Sequence, residues 1–416
     1  MRKRVRVVAC TVPLLLAVAC GSSKGSGSAT TAASATTTAA GSATTAASTA
    51  TTAAGTATTA AGTTQAPAAA PDPAAAGVAK AKAAIAAVAD PPTKIGPTIK
   101  LSGKPAKKTV AWLQCELPDC KTFGAAFKEA TTALGWDLKV ISVQSFSPQE
   151  GFQQAIDAGV DYIAIPGTPG ALMQEQIAAA KAKGIGFASC YATDTPSKAA
   201  NILTECGDGT SAANSGRFIA DWVIARSAGK AHTLYVNLPD FPVLVAEGTG
   251  VKAGFADNCP QCKLDELDVT INQLTAGEVP AAVVSKLQAD PSIDYVHFSF
   301  GTLPTGVAEA IKAAGLASKV NLVGVDFDVA VGLQGIADGT YLAWTSNPKP
   351  YASWLMVDAF ARDSLGMTNT EERANAVLPV FIVDSPDEAK ATLKFGADGW
   401  PGPDGYQAQF KALWGV

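Results

Sequence analysis

The sequence predicts an α/β protein of two Rossmann-like lobes with parallel sheets and a cleft between them. Three observations carry this. From Thr109 onward, short β-branched or aromatic runs alternate with segments of helical periodicity, many of them closed by glycine. Such alternation implies parallel strands joined by right-handed crossovers. It extends over about 300 residues, more than one such sheet normally uses, and begins afresh near Thr233.

In chain order, the first half offers strands at 109–114, 137–143, 162–165, 185–189 and 201–205, and helices at 122–134, 148–158, 170–183 and 211–227. Gly135, Gly159 and Gly184 stand where the first three helices stop. The second half offers strands at 233–237, 263–269, 295–299, 320–325, 341–345 and 379–383. Its helices fall at 245–256, 279–289, 306–314, 329–337 and 350–365. In an open α/β sheet, ligands bind outside the carboxyl ends of the strands. Asp326 and Ser346 both stand at such ends, and a carboxylate there accepts hydrogen bonds from a small ligand.

The chain begins with Arg2, Lys3, Arg4 and Arg6, followed by an apolar run over 7–18 and small residues before Cys20. Residues 1–19 resemble a bacterial lipoprotein signal, in which Cys20 is acylated and becomes the new N-terminus. The pattern departs in one place: the usual leucine three before the cysteine is Ala17, with Leu16 one place further back. An ordinary cleaved secretory signal is the alternative, and either places the mature protein outside the cytoplasm. No later stretch is long and apolar enough to span a bilayer, so the expected anchor is lipid on Cys20, at the outer face of the cell membrane.

Residues 20–77 are Ala, Thr, Ser and Gly with almost no charge, a composition that cannot repay its ordering entropy. They read as a flexible tether of about 40 Å root-mean-square span. Residues 78–106 form a lead-in, helix-prone at first, stopped by Asp90-Pro91-Pro92 and extended thereafter.

Loss of the leader's four basic residues moves the formal charge from −4 to −8. With no basic cluster, nucleic acid is not an expected partner. The histidines are only two, His232 and His297, which argues against a histidine metal site or a Ser-His-Asp triad. His297, mid-strand, reads as a satisfied core residue. No strand-to-helix turn carries GxSxG, and there is no HExxH helix or Gly-rich phosphate loop, so neither an enzyme nor a cofactor is expected.

Apart from Cys10 and Cys20, six cysteines remain, and an even set in an exported chain reads as disulfides. Six allow 15 pairings. Proximity selects Cys115–Cys120, Cys190–Cys206 and Cys259–Cys262. Cys259-Pro260-Gln261-Cys262 follows a helix instead of opening one, so it reads as a staple and not a redox pair. The spacing of the pairs does not suit zinc.

The segments KEATTALGWDLKVISV, AGVDYIAIPGTP, GVDFD and DGTYLAWTSNP, in that order, resemble the type I periplasmic solute-binding proteins of ABC importers, the ribose-binding-like branch in particular. The resemblance covers roughly 107–385. It implies hinge crossovers near 228–231, 345–347 and 379–383. Lobe 1 is then 107–229 plus 347–378, and lobe 2 is 230–346 plus 379–416. The tail from Asp384 exceeds the compact members and has no assigned role.

Of that family's sugar-binding residues only Asp326 is retained. The other loop positions fall on Glu116, on Pro166 beside Gly167 and Thr168, on Cys190-Tyr191, and on Thr249, Phe300 and Ser346. None of these is an arginine, and a buried sugar hydroxyl left unpaired costs about 1–3 kcal/mol. Glu116, Thr168, Tyr191, Thr249, Asp326 and Ser346 are the polar candidates for ligand contact; Phe300 and Trp344 offer apolar faces. Two ligand classes follow: a sugar or polyol held unconventionally, and a less hydroxylated aromatic or alicyclic acid or alcohol. The expected role is a monomeric, lipid-anchored substrate-binding protein that delivers a small molecule to an ABC permease. A sensor presenting the same ligand to a membrane receptor is the alternative.

Overall fold

Helix α1 (Pro73–Ala86) opens the part of the chain that the computed structural model describes, residues 72–326, 329–367, 378–396 and 399–416. The leader, Cys20 and the tether up to residue 71 lie outside the described residues.

The first sheet has five parallel strands in the order β2-β1-β3-β4-β5. They are β1 (Thr109–Gln114), β2 (Asp137–Ser142), β3 (Tyr162–Pro166), β4 (Gly186–Cys190) and β5 (Ile202–Cys206). Helices α2 (Pro118–Ala133), α3 (Gln149–Asp157) and α4 (Gln174–Ala182) link them. β3 and β4 are buried throughout, as helices on both faces require.

The chain then passes to helix α5 (Gly209–Arg226) and a six-stranded sheet ordered β11-β10-β9-β8-β6-β7. Its strands are β6 (His232–Asn237), β7 (Lys263–Asp268), β8 (Tyr295–Phe298), β9 (Asn321–Gly324), β10 (Ala343–Thr345) and β11 (Ile382–Val383). Its connections hold α6 (Pro242–Asn258), α7 (Ile271–Thr275), α8 (Val279–Ala289), α9 (Val307–Ala313), and a π turn over Val329–Leu333 that runs into α10 (Gln334–Asp338). Helix α11 (Lys349–Ser364) returns to the first lobe, packing on α2, β4 and β5. β11 lies antiparallel to β10, unlike the rest. Between β10 and β11 the chain visits lobe 1 through α11, so its return is not tied to a crossover helix packed on this sheet.

Two lobe boundaries differ from those expected. Helix α5 packs on α6, in lobe 2, so the first crossover lies at Gly207-Asp208 and not at 228–231. The pairing is close because both helices present glycine: a Cβ on Gly250 would overlap the Ala213 carbonyl. The tail is also split between lobes. Helix Pro386–Leu393 packs on α10 in lobe 2, whereas helix Tyr406–Trp414 completes the lobe 1 core. There Trp414 stacks on Trp354 at 5.1 Å, and its indole N–H donates to Asp358 Oδ1 at 2.8 Å.

The lead-in makes a similar crossing. α1 packs on α5 and α6, while Gly96 N–H donates to the Tyr351 hydroxyl and Leu101 N–H to the Leu413 carbonyl in lobe 1, both at 2.9 Å. The lead-in and the tail thus each touch both lobes, in addition to the hinge crossovers. No helix among the described residues is long and apolar enough to cross a membrane.

Candidate functional site

The parallel strands of both sheets point their carboxyl ends at one interlobe cleft, with an internal volume of about 180 Å³. That is below the roughly 300–1,000 Å³ of drug-sized sites, so it suits a compact ligand. At the mouth, Phe146 of lobe 1 meets Phe241 of lobe 2, ring centroids 4.8 Å apart, so the lobes touch across the opening.

The floor is a charge cluster drawn from both lobes. Lys349, the first residue of α11, places Nζ 3.4 Å from Asp119 Oδ1 and 3.3 Å from Asp326 Oδ1. A cation at a helix N-terminus opposes the helix dipole, and the two carboxylates offset that cost. Burial pulls the Lys349 ammonium down, but Asp119 and Asp326 more than compensate and hold it above its ordinary value. Asp326 follows β9 in a left-handed conformation, φ 54°, with its N–H donated to Thr345 Oγ1 at 3.1 Å. Left-handed backbone is costly for a non-glycine residue and here aims the carboxylate at the lysine. Burial pushes the Asp326 carboxyl up to about 6, against the Lys349 charge and with the Asp119 charge adding to it.

Tyr191 is also left-handed, φ 60°, and its hydroxyl donates to Asn347 Oδ1 in the hinge. Burial, with Asp326 and Asp119 nearby, raises its phenol well above the ordinary value. From lobe 2, α6 supplies Glu247, 3% exposed, whose Oε1 accepts from the Tyr235 hydroxyl at 3.1 Å. Burial pushes the Glu247 carboxyl well up, partly offset by that hydrogen bond and reinforced by Asp326. Ser299 Oγ, at the end of β8, is buried with no hydrogen-bond partner among the described residues.

Of the residues expected from the sequence, Thr168, Tyr191, Phe300, Asp326 and Ser346 line this cleft. Two of them already spend their hydroxyls on the protein. Thr168 Oγ1 donates to the Ser145 carbonyl at 3.3 Å, and Ser346 Oγ accepts from Phe381 N–H at 3.0 Å. The remaining three stand apart. Glu116 braces the neighbouring loop, its Oε2 accepting from Ser145 N–H at 2.9 Å. Thr249 is exposed on α6, bonded to the Val245 carbonyl at 3.1 Å. Two residues along a helix is 200° of rotation, so Glu247 faces in where Thr249 faces out. Trp344 is fully buried in the lobe 2 core, stacked on Phe298 at 6.5 Å.

His297 is buried as expected, but neither ring nitrogen has a hydrogen-bond partner among the described residues, and burial holds the ring down at about 3. Lys349, Asp119, Glu247 and Ser299 were not singled out from the sequence. Only Glu247 leaves a local trace, as the charged residue in the apolar run of α6.

The three expected cysteine pairs have their sulfurs at bonding distance, with Cα separations of 5.6, 4.4 and 5.3 Å. Cys115–Cys120 borders the cleft at the start of α2, and Cys190–Cys206 ties β4 to β5 beside the first crossover. A metal-like group, His232, Asp265 and Asp290, lies at the opposite end of the lobe 2 sheet. His232 is already taken there by Ser292 at 2.8 Å and Asp265 at 3.0 Å.

Residues 120–363 match the periplasmic binding protein domain family. A search of curated proteins finds no match. Among solved structures, the fold is similar to the sugar-binding protein of a sugar ABC transporter from Bacillus halodurans, with 16% identity, TM-score 0.58, and 68% of this chain and 99% of that one covered. It is similar to a carbohydrate transporter protein from Acidothermus cellulolyticus in complex with myo-inositol, with 23% identity, TM-score 0.58, and coverage of 70% and 99%. It is also similar to the fructose-binding periplasmic domain of a hybrid two-component system, with 16% identity, TM-score 0.59, and coverage of 74% and 99%.

Proposed function

The chain belongs to the periplasmic binding protein domain family, and from that premise we propose that it is the lipid-anchored, extracytoplasmic substrate-binding component of an ABC importer, taking a compact small molecule in the interlobe cleft. The observation that carries this reading is the Asp119–Lys349–Asp326 cluster. It joins the two lobes at the base of the cleft, which also holds Ser299 Oγ, buried with no hydrogen-bond partner among the described residues.

Ligand binding would work through the hinge. A molecule held by lobe 2 groups, Asp326 and Glu247, completes its contacts only when Tyr191 and the α2 loop of lobe 1 come over it. Binding thereby favours the closed form, the arrangement a permease would read. The lipid on Cys20 and the tether keep the receptor near the membrane.

Two ligand classes remain in play. The myo-inositol complex and the sugar-binding and fructose-binding proteins of similar fold support a polyol or sugar. The walls of Phe123, Phe241, Leu244, Leu274 and Phe300, with no arginine among the described lining residues, favour fewer hydroxyls. A sensory role is the second reading, supported by likeness to the periplasmic domain of a two-component system.

A thermal-shift screen of sugars, polyols, and aromatic and alicyclic acids and alcohols against the mature chain tests the proposal. Tight binding adds about 3–4 kcal/mol at saturating ligand and raises the midpoint by several degrees. A screen across all these classes with no shift in the wild type would remove the solute-binding reading. Conversion of a hit to product would replace it with an enzyme.

A further inference from the structure

The charges in the cleft narrow what it accepts. Among the described residues, Asp119, Glu247 and Asp326 line it against one cation, Lys349. Lys349 is spent within the protein, between Asp119 and Asp326 at 3.4 and 3.3 Å. Among the described residues Glu247 has no such partner: it is 3% exposed, and the contact described for it is the Tyr235 hydroxyl at 3.1 Å. A buried carboxyl without a cation either keeps its proton or takes a cation from elsewhere. A further atom on the same lobe lacks a partner: Ser299 Oγ is buried with no hydrogen bond among the described residues.

A carboxylate ligand would meet three carboxylates and a lysine already paired. A polyol would bring many hydroxyls to walls that are mostly apolar. An ammonium on a weakly polar body fits both features, since aromatic faces such as Phe241 and Phe300 also attract cations. Building on the solute-binding reading above, we infer that the cleft is made for a compact molecule presenting a protonated amine to Glu247. The amine can sit on a sugar ring or on an alicyclic body; the ammonium is the shared chemistry.

Matched probes decide this, titrated calorimetrically into the mature chain: glucosamine, glucose and glucuronate in one set, and cyclohexylamine, cyclohexanol and cyclohexanecarboxylate in the other. The amine of at least one set should bind tenfold or more tighter than its alcohol partner, with the acid weakest, and the set that does so identifies the body. Glu247→Gln should lower that amine's affinity at least tenfold and the alcohol's by about threefold at most, so the amine's advantage over its alcohol shrinks. An alcohol or acid that binds as tightly as its amine overturns the inference while leaving the solute-binding reading intact. So does an amine whose affinity ignores Glu247→Gln in a variant with wild-type unfolding. If that variant does not fold, the wild-type ranking within each set still decides. Silence from both amines also refutes it, and the wider neutral and acidic screen then judges the solute-binding reading separately.

Discussion

Replacing Lys349 with methionine leaves Asp119 and Asp326 facing each other at the cleft floor without a cation. Removing one partner of a fully buried ion pair costs about 3–5 kcal/mol. The side chains here are 11%, 36% and 20% exposed for Lys349, Asp119 and Asp326, so solvent screening reduces this to about 2–3 kcal/mol at pH 8.

The sign of the pH dependence follows from Asp326. Its folded-state pKa, about 6, already lies above the ordinary 3.8, chiefly through burial. The folded state therefore holds that proton more tightly than the unfolded chain does. The stability this confers is present at low pH and is lost as pH rises through the folded value. Lys349 is the main influence pulling that value down, so the variant's value is higher still and its loss between pH 5 and pH 8 is steeper. Tyr191, Asn347 and Glu247, which also face Asp326, stay in place in both proteins. Urea denaturation followed by tryptophan fluorescence should show a deficit of about 2–3 kcal/mol at pH 8, shrinking to about 1 kcal/mol at pH 5. A deficit below about 0.5 kcal/mol at pH 8, or one equal at both pH values, refutes the cluster as described.

Three other outcomes are expected. Replacing Cys190 and Cys206 together by serine opens a link of sequence separation 16 and should lower the unfolding free energy by about 3 kcal/mol, measured by urea titration. Trp414→Ala should cost about 3–5 kcal/mol, because the indole stacks on Trp354 and donates to Asp358; a loss under about 1 kcal/mol would show the tail to be an appendage. The His297 ring should give no titration by NMR between pH 5 and pH 8, since burial holds it near 3. Its depressed folded value makes it a source of stability that is present at neutral pH and lost as pH falls below about 6.5.

Much of the fold is visible in local pattern. The runs at 109–114 and 279–289 coincide with β1 and α8 because each carries its own periodicity and its own turn residues. The lobe assignment of α5 is not local. It depends on glycines 216 and 250 fitting against the facing helix, a partnership that spacing along one helix does not reveal. The tail is placed whole in lobe 2 for a related reason: its position after the last strand gives no sign that Tyr406, Phe410 and Trp414, at helical spacing, fill lobe 1.

At the site, Asp326 was legible because it stands directly after a strand end. Lys349 was hidden at the start of a helix read from Pro350, and its partners are 230 and 23 positions away in the chain. Glu247 and Thr249 show how the start of a helix decides which side faces a cleft. α6 begins at Pro242, three residues before the expected start, and the inward position is the glutamate.

The most direct measurement is calorimetric titration of the best ligand from the screen into the wild type and into Asp326→Ala. The expected result is one ligand per chain, with affinity at least tenfold weaker in the variant, a loss of about 1.4 kcal/mol or more. Equal affinity in the two folded proteins would place the ligand somewhere other than the interlobe cleft.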